Sequence, residues 1–141
     1  MTMMPKPKYD RVTSNRLFVD SYDTAEWDKL STEAKVRDGH RCVDCREEDK
    51  GKPQVHHMFY TFERLAWEYP VESLHTLCRQ CHLERTVLTK QIKILSGMLT
   101  NTEGQEIRAK MESMVNRRGL VPLAREAYMI MMNRKSSDSW G

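Results

Sequence analysis

Nothing in this sequence approaches a membrane-spanning apolar run, and its start, MTMMPKPKYDR, lacks the apolar core of a signal peptide. A cytoplasmic location with no membrane partner is therefore expected. Internal repeats and low-complexity tracts are absent too, so no repeat architecture is indicated. Strong charge is also missing: the formal net charge is +3 over 141 residues, which permits nucleic-acid binding without demanding it. The balance is uneven, because acids outnumber bases between Cys42 and His82 whereas the stretch from Leu83 to Gly141 is basic. Any basic surface is expected largely outside the cysteine-bearing region. The length allows one compact domain with appendages but not two large independent cores.

Cysteine is scarce and ordered, with only Cys42, Cys45, Cys78 and Cys81, arranged as two Cys-x-x-Cys pairs. In a reducing compartment such pairs read as zinc ligands rather than disulfides. Zinc is satisfied by four thiolates, so no spare cysteine is left to act as a nucleophile. The histidines are then surplus to that site and need their own explanation. If the second knuckle opens a helix, His82 points about 100° away from Cys81, toward a separate centre. In the strand-prone VHHM, alternation sends His56 and His57 in different directions, so one can ligate a metal while its neighbour does proton chemistry.

Around these residues the chain divides as follows. Residues 1–22 have no sustained apolar periodicity and are expected as an extended arm. A first helix follows, with Asp23 as N-cap, Glu26 three residues on, and Trp27, Leu30 and Ala34 on one face, ending near Gly39. HRCVDC and QVHHMF flank the turn-forming REEDKGKP and are expected to form a hairpin or a pair of irregular strands. Tyr60 to Ser73 is expected as loop. Leu88, Ile92, Leu95 and Leu99 recur at helical spacing, and Thr102 with Gln105 is expected to cap a second long helix bearing Ile107, Met111, Met114 and Val115. RRGLVP breaks that helix, and a last one carries Leu123, Ala127, Tyr128, Ile130 and Met131. The polar tail is 136–141. The methionine-rich YMIMMN is most simply a plastic packing surface, with a partner groove as the alternative.

EWDKLSTEAKVRDGHRCVDC, the His56–His57 pair and SLHTLCRQCH together resemble the HNH endonucleases over about Trp27 to Arg85. The resemblance implies a small zinc-bound ββα-metal core over 23–86; with the N-terminal helix and the helical extension that periodicity places over 87–135, the expected class is α+β. It implies a structural zinc on Cys42, Cys45, Cys78 and Cys81, and a second divalent metal, such as Mg2+, Mn2+, Ni2+ or Zn2+, on His56 and His82. His57 would be the general base for hydrolysis of DNA phosphodiesters. Arg64, Arg79 and Arg85 would grip phosphates. One position departs from the family: Ser73 stands where its middle asparagine is found, as in an HNH-like subgroup lacking that residue. Serine is the poorer metal ligand, and Glu68, Glu72 and His75 are the candidates to substitute. The alternative function is a catalytically weakened zinc module that binds nucleic acid or acts as a protein adaptor. A protein partner or self-association would then engage the C-terminal helices.

Overall fold

The computed structural model describes residues 11–47, 52–61 and 64–135. The first ten residues of the expected arm, the middle of REEDKGKP and the polar tail lie outside the described residues. The order of elements is α1 (Arg11–Ser21), α2 (Ala25–Arg37), β1 (Gln54–His57), two 3₁₀ turns (Ala66–Glu68 and Val71–Ser73), β2 (Leu74–Leu77), α3 (Arg79–Met98), α4 (Asn101–Asn116) and α5 (Val121–Lys135). The class is α+β, with helices around one two-stranded sheet.

The later half of the expected arm is instead helix α1. Of its four apolar residues, Val12, Leu17, Phe18 and Val19, three are consecutive and mark no single helical face. Phe18 packs against the core while Leu17 and Val19 stay exposed, so tertiary packing rather than amphipathicity holds this helix in place. Helix α2 starts one residue later than expected: Thr24, not Asp23, is the N-cap, and its Oγ1 accepts from the Trp27 amide at 3.2 Å. That phase turns Trp27 and Ala34 inward. The helix ends as a Schellman-type turn, with His40 N–H bonded to Lys35 O and Gly39 in the left-handed region at φ 67°.

The sheet also differs from expectation. HRCVDC is not a strand; the antiparallel partner of β1 is β2, in the register Gln54 to Leu77, Val55 to Thr76, His56 to His75 and His57 to Leu74. The Cys42–Cys45 stretch turns back on itself instead, with Arg46 N–H bonded to Cys42 O at 2.9 Å and Arg46 at φ 62°. That curvature is what gathers two thiols, and an extended strand would separate them.

The outer edge of β2 is closed by groups from three directions, as buried backbone polar atoms require. Leu74 N–H donates to Val71 O, and Leu74 O accepts from the Arg37 guanidinium at 2.6 Å. Thr76 N–H donates to the Asp38 carboxylate at 3.0 Å, and Thr76 O accepts from Val43 N–H at 2.9 Å. The C-terminal end of α2 and the first cysteine knuckle therefore act as a substitute third strand.

Pleating gives the hairpin two unlike faces. Val55, His57, Leu74 and Thr76 share one face and His56, His75 and Leu77 the other. Trp27, Ala34, Val55, Ala66 and Leu74 form one core cluster, with Phe18, Tyr22, Leu30, Trp67 and Val71 packed on it. Leu77 joins Cys42, Cys78 and Cys81 in a second cluster, flanked by Val43 and Cys45.

From His82 to Met132 no residue is buried. Helix α3 carries the expected stripe, but Leu88, Ile92 and Leu95 are exposed. Helix α4 is capped two residues before the expected position: Thr100 and Glu103 form a reciprocal capping box, in place of Thr102 and Gln105. Glutamate completes the box at Thr100 without altering the helical face. Among the described residues no helix is long and apolar enough to cross a membrane.

Candidate metal centre and the histidines beside it

Two turns bring the cysteines together. Cys42 and Cys45 lie on the curved knuckle after α2, while Cys78 is the N-cap of α3, so Cys81 follows on its first turn. The Cys78 Sγ accepts from Cys81 N–H at 3.4 Å, as a thiolate ligand at a helix N-terminus does. All four sulfurs lie within 4.8 Å of one another, and none is in a disulfide. A tetrahedral ion with bonds of about 2.3 Å to sulfur requires sulfurs about 3.8 Å apart. The Cys45 and Cys78 sulfurs are 3.9 Å apart. The donor set therefore fits an ion such as zinc.

The thiol electrostatics agree. Burial opposes ionisation of Cys42, yet backbone amides of Cys45, Cys78 and Asp44 outweigh it and bring its pKa down to about 6. Burial and the neighbouring sulfurs push Cys81 the opposite way. Four thiols this close do not all ionise without a cation between them.

On the adjoining face of the hairpin, His56 from β1 and His82 from α3 stack with ring centroids 3.7 Å apart and planes at 10°. Burial, then His82 and then His57, lower the His56 pKa to about 4, so its imidazole is neutral at physiological pH. A neutral imidazole is the form that binds metal. Metal bonds lie in the ring plane, so for two face-to-face rings to share an ion one must turn about its Cβ–Cγ bond. Among the described residues, the cysteines are the group of three or more whose ligand atoms converge.

His57 does not join this pair. Its side chain enters the opposite face and is 6% exposed. It stacks on Trp27 at 5.2 Å and is edged by Tyr69 at 4.5 Å, with Phe18, Tyr22 and Tyr60 completing an aromatic cage. Its Nε2 lies 2.9 Å from the Ala66 carbonyl oxygen and its Nδ1 lies 3.3 Å from the Tyr22 hydroxyl. Burial lowers its pKa although the Ala66 carbonyl opposes the shift.

The expected substitutes for the missing asparagine separate clearly. Ser73 is fully buried, donates its hydroxyl to Pro70 O at 2.7 Å and accepts Met58 N–H on its carbonyl; it closes the loop onto β1. Glu68 accepts Leu65 N–H at 2.8 Å and is exposed, as is Glu72. His75 is directly opposite His56, but its Nδ1 is 3.5 Å from the Arg85 guanidinium.

The arginines are no single phosphate clamp. Arg85 grips both Asp44 oxygens, at 2.5 and 2.6 Å, tying α3 to the first knuckle. It also holds the Asp44 carboxyl below its ordinary pKa. Arg64 pairs with Glu126 of α5 at 2.5 Å and covers the Tyr69 ring. Arg79 is exposed on the first turn of α3. Sequence reasoning missed Tyr22, Arg37, Asp38 and Asp44. None has a spacing signal, because each works through a partner dozens of residues away. No family model, curated protein or solved structure matches the chain.

Proposed function

We propose that this chain is an HNH-like, metal-dependent nuclease that hydrolyses phosphodiester bonds in DNA, with β1, β2 and α3 as its ββα-metal core. The observation that carries the reading is the stacked His56–His82 pair, which joins β1 to the helix that bears two residues of the four-cysteine cluster. Cys42, Cys45, Cys78 and Cys81 hold a structural zinc that fixes the start of α3, and with it His82. With one ring turned about its Cβ–Cγ bond, His56 and His82 would hold the second divalent ion, whose chemistry when bound would be Lewis acidity toward the scissile phosphate and its departing oxygen.

His57 takes the proton of the attacking water. Its hydrogen bond to Ala66 O puts the hydrogen on Nε2 and leaves Nδ1 basic, and its lowered pKa keeps it neutral at physiological pH. Arg79, exposed beside the site, is the arginine left to meet the DNA backbone. Cysteines grouped for a metal rather than joined in disulfides suit a cytoplasmic setting.

A second reading is a zinc module that binds nucleic acid or a protein without cleaving. It is favoured by His57 being caged with both ring nitrogens engaged, and its partner surface would be the exposed apolar faces of α3 to α5. The test is cleavage of supercoiled and single-stranded DNA by zinc-replete protein with magnesium, manganese or nickel. The nuclease reading expects turnover that His56→Ala removes while zinc content is kept. Absence of turnover with all three metals, together with retained DNA binding, selects the second reading.

A further inference from the structure

The residues that govern His57 come from α1 and the residue after it, ahead of the zinc-binding region. The Ala66 carbonyl can only accept, so the 2.9 Å bond fixes the hydrogen on His57 Nε2 and leaves a lone pair on Nδ1. The group facing that lone pair is the Tyr22 hydroxyl at 3.3 Å, which must then be the donor. Tyr22 is itself held in place, edge-on to Trp27 at 5.0 Å and to Phe18 at 5.2 Å.

Its neighbour Ser21 secures the other side. Ser21 is buried; its Oγ accepts Ala66 N–H at 2.8 Å and donates to Phe18 O at 2.5 Å. Two consecutive residues thus hold both ring nitrogens of one histidine: Ser21 through Ala66, and Tyr22 directly. Tyr60 packs against the His57 ring at 5.4 Å and is 63% exposed, so the aromatic cage borders solvent on that side.

We propose that Tyr22 is the positioning residue of His57: its hydroxyl locks the imidazole with the lone pair on Nδ1 and relays protons between that nitrogen and water. The relay rests on the nuclease reading, whereas the lock does not. In the relay the Tyr22 O–H bond breaks toward Nδ1 as the same oxygen accepts a proton from water. Hydroxide and imidazolium form and the tyrosine is regenerated unchanged; after turnover the reverse transfer returns the proton to solvent. Burial, then the phenols of Tyr60 and Tyr69, push the Tyr22 pKa well above its ordinary value, so the hydroxyl remains a donor.

The test uses zinc-loaded full-length protein with 15N-labelled histidine and the variants Tyr22→Phe and His57→Ala. Long-range proton–nitrogen correlation should show His57 as the Nε2–H tautomer. In Tyr22→Phe, which keeps the ring and its packing, the Nδ1 resonance should move toward that of an unbonded imine nitrogen. With manganese, kcat for DNA cleavage should fall by about ten-fold or more, within the range of general acid–base contributions, while KM is kept. An Nδ1–H tautomer in the parent, or an Nδ1 resonance unmoved by Tyr22→Phe, overturns the lock. Parental kcat in Tyr22→Phe, where His57→Ala has abolished turnover, overturns the relay. If His57→Ala cleaves as the parent does, or the parent does not cleave, the base assignment itself fails and the relay with it, while the resonance still decides the lock. Should Tyr22→Phe not fold, the parent spectrum decides the lock: an Nε2–H tautomer with Nδ1 shifted from the position of an unbonded imine nitrogen supports it, and an Nδ1–H tautomer or an unshifted Nδ1 overturns it.

Discussion

Asp38 sits at the end of α2, where a substitution would ordinarily be mild, yet the sheet edge depends on it. One carboxylate oxygen accepts both Thr76 N–H, at 3.0 Å, and an Arg37 nitrogen at 2.9 Å; the other accepts Arg37 Nε at 2.8 Å. Thr76 is fully buried. In Asp38→Ala its amide loses its partner, and an orphaned buried donor costs about 1–3 kcal/mol. Arg37 is partly exposed and keeps its bonds to Val71 O and Leu74 O, so loss of the ion pair adds about 0–1 kcal/mol. The expected loss is about 1–4 kcal/mol, a large part of the stability of a small domain. Asp38→Asn retains an acceptor for Thr76 and should lose less. The assay is urea unfolding of zinc-loaded protein followed by circular dichroism, comparing midpoints at equal slope.

The same residue should carry a pH signature. Burial opposes its ionisation, but Arg37 and Thr76 outweigh that and hold the folded-state pKa below the ordinary value. The unfolded chain therefore binds this proton first as pH falls. The contribution is fully present above the unfolded pKa of about 4 and is lost as pH drops through the lower folded value. Parent and Asp38→Ala should converge in acid. A neutral-pH difference below about 0.5 kcal/mol, the scatter of ordinary surface changes, would refute the reasoning.

Cys78→Ser should lose bound metal and much of the cooperative unfolding transition, since beyond the cysteines the second core has only Leu77 and Val43; elemental analysis and thermal melts check this. Burial holds both His56 and His75 at a pKa of about 4, so each favours the folded state fully above the unfolded value of about 6.5. That stability should decline as pH falls from there toward 4, measured as unfolding free energy against pH. Ser73→Asn enlarges a fully buried side chain and removes its bond to Pro70, so it should cost about 1–3 kcal/mol by overpacking. On the nuclease reading, cleavage should not rise with it, because Ser73 closes the loop rather than leaving a ligand position empty; a faster variant would show that an asparagine here serves a metal.

The parts legible in the sequence were those encoded within a few residues. Two Cys-x-x-Cys knuckles close onto one centre because spacing and the α3 N-terminus dictate it, and alternation along β1 does send His56 and His57 to opposite faces. Helical periods located α2 to α5, although the caps moved because serine-like and acidic candidates stood at neighbouring positions. The strand LHTL carries no sequence signal because its four residues, buried on both faces, show no alternation.

What the chain determines by itself is the cysteine cluster, the positions of α2 to α5 and the divergence of the paired histidines, all properties of local spacing and backbone geometry. Only the tertiary structure decided that β1 pairs with β2 rather than with the first knuckle and that His82 stacks on His56. It also decided that His57 is enclosed by aromatic rings contributed by α1, α2 and the loop, and that Arg85 serves Asp44. Each of these joins groups distant along the chain, where pairing is set by which partners satisfy buried polar atoms and fill the core, a competition that no short window of sequence contains.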